Sequence, residues 1–270
     1  MVVPFLLADE AVECLLASIV PALGVTWGGS RPGYAAVVRR DGVVVAAAVR
    51  TPVKLLLSRS THTSAPLRLA QDVASHLPEL TAALGPEPEM SLFVQAWARL
   101  NDRQPCLLQR QRIYRLDRVC FPQASVAGAA RPARPSDAPL LLGWAEHFSQ
   151  ESGLASPPEP RRDLLEQHVR RGTLFVWEDG GEPVSMAAIG GETPNTARIN
   201  LVYTPPWLRR RGYASACTAA LSQHVLNQGK RCCVLYTDLA SPTTNHIYQT
   251  IGYRPVRDAS DYLFPRTTAA

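Results

Sequence analysis

Between residues 197 and 228 the sequence leaves few ways to fold. A strand-like alternation over 197–203 runs into Pro205-Pro206, which carry no N–H for a sheet ladder, so pairing with a neighbouring strand should stop there. The chain then reads Arg209-Arg210-Arg211-Gly212-Tyr213-Ala214-Ser215 and enters a helical pattern. Its apolar positions Tyr213, Cys217, Ala220, Leu221, His224 and Val225 keep one face, and Gly229 suits a left-handed C-terminal cap. A helix that starts at a glycine, with small residues in its first turn, presents unpaired N–H groups and a positive dipole end to which an anion can come close. Neighbouring arginines add charge-assisted hydrogen bonds, and together these features suit a pyrophosphate. The segment is not a P-loop, whose lysine is missing, nor a dinucleotide fingerprint, whose glycine spacing is missing. In isolation an exposed basic helix start would read the same way.

The surrounding pattern is mixed α and β. Residues 33–39 and 43–49 flank Asp41-Gly42, a strong hairpin signal. Helical periodicity follows over 67–77 and 91–100, and 112–119 alternates like a strand. The order then recurs: helices over 138–150 and 162–170, strands 174–177 and 184–189 around Asp179-Gly180-Gly181, a strand at 197–203, the helix at 212–228, a strand at 231–237, a short helix and a strand near Tyr262. Composition changes most abruptly between Phe121 and Asp137, where Pro122, Gly128, Pro132 and Pro135 fall. This predicts a first domain over 1–121, a linker over 122–136 and a second domain over 137–270.

Composition narrows the function classes. Six cysteines lack metal-ligand spacing and the density of a disulfide scaffold, so reduced, mostly buried thiols and no metal are expected. The longest purely apolar run, 43–49, is far below the roughly 20 residues of a membrane span. The hydrophobic stretch 1–20 contains Asp9, Glu10 and Glu13 and lacks a basic start, so it does not read as a secretory signal, and a cytoplasmic protein is expected. The net charge of +5 comes mainly from scattered arginines without interleaved aromatics, which argues against a nucleic-acid partner.

Arg209-x-x-Gly212-x-Ala214, lying between a strand and a long helix, resembles the coenzyme-A loop of the GNAT acetyltransferase superfamily. The later run Asn245-His246-Ile247-Tyr248-Gln249-Thr250-Ile251-Gly252-Tyr253 is similar to that family's closing helix and glycine-aromatic turn. The likeness covers about 130 residues from Asp137 onward and looks like a bacterial branch. It departs from the common pattern at Arg210, where many relatives carry glycine, and at Ser241, where many carry asparagine. The resemblance implies a central mixed, mostly antiparallel sheet flanked by helices, with residues 1–121 as a degenerate second copy. It also implies acetyl-coenzyme A as co-substrate and an amine-bearing small molecule or peptide as acceptor, and a homodimer is compatible with it. Backbone groups of Val202, Tyr203 and Thr204 would meet the pantetheine arm, and residues Arg209, Arg210, Arg211, Gly212, Tyr213, Ala214 and Ser215 the pyrophosphate. Asn245 and Tyr248, three apart on one helix face, would point at the arm and its sulfur.

Tyr248 is then the candidate acid. A thiolate of pKa about 8.5 and a tyrosine near 10 make full proton transfer uphill by roughly 2 kcal/mol, so Tyr248 would chiefly hydrogen-bond the leaving sulfur. The attacking amine must lose a proton, yet the strand before the loop carries Arg198 and Asn200 and no carboxylate. Glu192 and Asp238 are the nearest candidate bases by topology. A non-catalytic acyl-coenzyme-A-binding module remains the competing expectation.

Overall fold

The computed structural model of the 270-residue chain describes residues 2–21, 33–121, 126–153 and 158–265, with side chains in the last segment from residue 162. In chain order the first elements are α1 (Val3–Leu7), α2 (Glu10–Ile19), β1 (Ala35–Arg40), β2 (Val43–Arg50), β3 (Leu55–Leu57), α3 (Ala65–His76), β4 (Ala82–Pro86), α4 (Glu89–Asn101) and β5 (Cys106–Leu116). They are followed by β6 (Ala129–Pro132), α5 (Ala138–Glu151), α6 (Pro158–Arg171), β7 (Leu174–Asp179), β8 (Glu182–Glu192), β9 (Thr196–Tyr203), α7 (Tyr213–Asn227), β10 (Cys232–Asp238), α8 (Pro242–Ile251) and β11 (Arg254–Leu263). The expected mixture of helices and mostly antiparallel strands is what forms.

Contacts divide the chain into two compact units, and not at the linear boundary composition suggests. Unit one comprises Met1–Ile113, Tyr236–Ser241 and Pro255–Ala270; unit two comprises Tyr114–Leu235 and Pro242–Arg254. The reason is β11, whose residues Ala259 to Leu263 pair antiparallel with β4, so the end of the chain completes a sheet begun near its start. The expected linker also changes character. Residues 122–125 lie outside the described residues, but β6 pairs with β7 as an edge strand, where Pro132 costs no ladder bond.

In unit one, Asp41 and Gly42 take φ of 51° and 79°, the left-handed pair a two-residue hairpin needs. Leu69, Val73, Phe93 and Trp97 fill the core against β2 and β3, and the Trp97 and Phe264 rings lie 4.5 Å apart. The hydrophobic N-terminus forms α1 and α2, whose Leu6 and Leu16 pack on Ala47, Val49 and Leu56.

Glu13 of α2 is 2% exposed, and burial pushes its carboxyl up from 4.5 to about 8, against the lowering pull of Arg59. Between those values the folded chain holds one proton more than the unfolded chain. That stability is complete below about pH 4.5 and is lost as pH rises through about 8, at up to roughly 1.4 kcal/mol per pH unit. Glu13→Gln should remove this slope, so urea midpoints of variant and wild type should diverge from about pH 5 to about pH 8 in the variant's favour. A constant difference across that range would show that Glu13 stays ionised.

In unit two the strand order is β10-β9-β8-β7-β6, antiparallel except for the parallel pair β9 and β10. Strand β8 is apolar on both faces because both are covered. Ala187 and Ile189 pack with Cys217, Leu221 and Val225 of α7, whereas Met186 and Ala188 pack with Leu141 and Trp144 of α5. Gly180 and Gly181, with φ of 60° and 86°, close the turn between β7 and β8.

Candidate active site

Strand β9 parts from β10 seven residues before Pro205, earlier than the prolines predicted. It pairs with β10 only over Thr196, Ala197 and Arg198, yet continues to Tyr203. On its other side the register moves from Asn200 opposite Ala188 to Tyr203 opposite Met186, so Leu201 and Val202 together face Ala187. This is a β-bulge, and Leu201 pays for it with φ of 49°, a conformation costing an L-residue roughly 1 to 2 kcal/mol. Ser185, fully buried on β8, donates to the Tyr203 carbonyl at 3.0 Å. Its Oγ is 2.9 Å from Thr204 Oγ1, and since the serine proton is used, Thr204 is the donor in that second bond.

The connection to α7 holds the main feature. After a single 3-10 turn at Pro206–Leu208, Leu208 N and Arg209 N bond to the carbonyls of Pro205 and Pro206. From Arg210 through Ser215 no backbone N–H has an acceptor among the described residues, and the first helical bond runs from Ala216 N to Gly212 O at 2.9 Å. Arg210 and Gly212 have φ of 67° and 83°. A left-handed Gly212 before a right-handed Tyr213 turns successive N–H groups into one concavity, an anion-binding nest at the positive end of a helix. Tyr213 Oη donates to Asp179 at 2.5 Å and fixes the helix start to the end of β7. Sequence reasoning missed Asp179, which read only as a turn residue.

The arginines divide their work. Arg209 donates through Nε to the Thr204 carbonyl at 2.9 Å and through Nη2 to both Glu151 oxygens at 2.8 and 2.7 Å. It is a strut between the strand end and the end of α5, and being about half exposed the ion pair itself contributes under about 1 kcal/mol. Arg210 and Arg211 are exposed at the mouth of the nest. Nothing in the sequence linked Glu151 to Arg209.

On α8, Tyr248 is 6% exposed in the α7-side core, with its ring edge-on to Tyr253 at 5.9 Å. Burial alone pushes its pKa up, and its hydroxyl has no hydrogen-bond partner among the described residues. Asn245 Oδ1 accepts from the fully buried Tyr114 at 3.0 Å, and Gln249 donates to the same Tyr114 oxygen at 3.3 Å. The alternation over 112–119 marked a strand but singled out neither Tyr114 nor its partner. Glu192 is not gathered with these residues. It pairs across from Ala197, is engaged by Lys230 at 3.3 Å, and sits about 20 Å along β9 from Tyr203 at 3.3 Å per residue. Asp238 belongs to unit one, where its Oδ1 accepts Ala240 N at 2.8 Å. Among the described residues there is no cluster of three metal-ligating side chains, and no helix is long and apolar enough to cross a membrane.

Comparison with known proteins bears on the fold and on one region of the chain. Residues 141–253 match the model of the acetyltransferase (GNAT) family. Among solved structures, a GCN5-related N-acetyltransferase from Sphaerobacter thermophilus is similar at 18% identity and TM-score 0.62, covering 96% of this chain and 91% of that one. One from Kribbella flavida is similar at 15% identity and TM-score 0.61, with 96% of each chain covered. A GNAT-family acetyltransferase from Colwellia psychrerythraea shows 14% identity and TM-score 0.58, with 97% of each chain covered. No curated protein matches the sequence. At these identities the likenesses speak to fold, and the family match speaks to one region: residues 141–253 form a domain of the acetyltransferase (GNAT) family.

Proposed function

We propose that the protein is an acetyl-coenzyme-A-dependent N-acetyltransferase, transferring acetyl to a primary amine by direct attack on the thioester. The observation that carries this reading is the run of N–H groups from Arg210 to Ser215, without acceptors among the described residues, at the start of α7 beside a bulged strand end. A pyrophosphate fits such a nest as acceptor, and exposed Arg210 and Arg211 supply countercharge. The backbone of Val202, Tyr203 and Thr204, freed from β10, offers the pantetheine amides a strand to pair with. Ser185 and Arg209 hold the carbonyls of Tyr203 and Thr204, so this edge is set before a ligand arrives.

The bound thioester supplies an activated acyl carbon. The amine lone pair forms the C–N bond, the C–S bond breaks, and the Tyr248 hydroxyl donates a hydrogen bond to the departing sulfur. Burial favours the protonated phenol, so Tyr248 enters each turnover as a donor. With no carboxylate on β9 and Glu192 at its far end, water takes the proton released by the amine. The same lack of a strand carboxylate favours the competing reading, an acyl-coenzyme-A-binding module without turnover.

Titrating the purified protein with acetyl-coenzyme A by calorimetry, then screening amines for acetylated product by mass spectrometry, separates the two. Micromolar binding with product supports the enzyme, binding without product across polyamines, amino acids and peptides supports the module, and no binding by a folded protein removes both.

A further inference from the structure

The chain uses one order of elements twice. From α1 to β5 it runs α, α, β, β, β, α, β, α, β, and from α5 to β11 it runs through the same nine steps. Pairings repeat with the order: β1 with β2 and β2 with β3 are antiparallel and β3 with β4 parallel, as β7 with β8, β8 with β9 and β9 with β10 are in turn. Residues 58–64, joining β3 to α3, therefore occupy in unit one the place that 204–212 occupy in unit two.

The two connections differ in one chemical respect. Between β9 and α7 the N–H groups of residues 210–215 have no acceptor among the described residues. Between β3 and α3 nearly every one is taken. Ser58 N and Thr61 N bond to the carbonyls of Ala47 and Val45, His62 N to Ser60 Oγ, Ser64 N to His62 Nδ1, and Ala65 N to the His62 carbonyl. Of the remaining three, two go to side-chain carboxyls: Arg59 N donates to Glu13 Oε1 at 2.6 Å and Ser60 N to Glu89 Oε1 at 2.9 Å. Both carboxyls are buried, 2% and 5% exposed, and Arg257 grips Glu89 through both oxygens at 2.9 and 2.8 Å. The segment has no glycine and no left-handed residue, so it forms no nest. The cavity left among α2, β3 and β4 is about 20 Å³, room for one water and not for a pantetheine.

We propose that unit one is a second copy of the same fold whose donor loop is closed by its own carboxyl groups, Glu13 and Glu89, so that each chain takes one acyl-coenzyme A. The stoichiometry rests on the reading of the Gly212 loop as donor site; the closure rests on unit one alone. Calorimetry of the full chain with acetyl-coenzyme A should give one equivalent, and none with Gly212→Asp. Two equivalents in the wild type, or one surviving in the variant, would overturn the proposal.

Amide hydrogen exchange tests the closure without any ligand. Glu13→Ala should speed exchange at Arg59, and Glu89→Ala at Ser60, about tenfold or more relative to Ser58 and Thr61, whose acceptors are main-chain carbonyls. Glu13→Gln, which keeps an acceptor oxygen, should retain the protection at Arg59. Unchanged exchange, or equal acceleration at all four amides, sinks the closure. If the wild type binds no acetyl-coenzyme A, the functional reading fails and the exchange pattern still decides this one.

Discussion

Gly212→Asp should weaken acetyl-coenzyme A binding at least about 100-fold, roughly 3 kcal/mol, in a protein that still folds. Three effects act in one direction. Gly212 has φ of 83°, so any side chain there costs roughly 1 to 2 kcal/mol and pulls the nest away from its geometry. A Cβ would stand 2.9 Å from Val126 Cγ2, which must swing aside. The new carboxylate then competes for the N–H groups of residues 213–215 and repels a pyrophosphate in the same place. Gly212→Ala shares the first two effects and lacks the third, so it should lose much less affinity. Calorimetry on both, with thermal melts to establish folding, checks the point; equal losses would mean that backbone strain and not charge is responsible.

Tyr248→Phe should lower kcat between about tenfold and a thousandfold while leaving the Kd for acetyl-coenzyme A within about twofold. The unusual part of the expectation concerns stability. A tyrosine kept for packing normally has a partner for its hydroxyl when buried, and removing the hydroxyl then costs about 1 kcal/mol. Tyr248 has no partner among the described residues, and its oxygen is not among the enclosed polar atoms left unpaired, so it still meets solvent and the Phe variant should stay within about 0.5 kcal/mol of wild type. A less stable variant with unchanged kcat would make Tyr248 a core residue only. Because burial raises its pKa, Tyr248 itself should add no limb to the pH-rate profile near neutrality.

Much of this was legible in the residues. Asp41-Gly42, Gly180-Gly181, Pro205-Pro206 and Gly212 each carry a backbone requirement that local sequence states outright, and each stands where that requirement put it. What local sequence does not state is pairing at long range. Strand β3 has three residues, too few for a period, and β4 lies between helices without clear alternation. The proline-rich stretch around residue 130 reads as a linker because edge strands tolerate what central strands do not. At the site, Arg209 was legible as a loop arginine, but its bond to Glu151 spans 58 residues of sequence, and that of Tyr114 to Asn245 spans 131.

The pairing of β11 with β4 bears on how such a chain can change over time. Its register runs from Ala259 opposite Pro86 to Leu263 opposite Ala82, and Lys54 with Asp261 and Arg257 with Glu89 tie the same strand into unit one. A tail that follows the acetyltransferase region thus has its bed in residues that precede it. Deleting the N-terminal half would strand that tail as an unpaired edge, prone to association with other chains. If its loop is closed as proposed, unit one would then be retained by architecture, not by chemistry. Its surface is free to drift toward new partners, while β4 stays held by the tail strand that pairs with it.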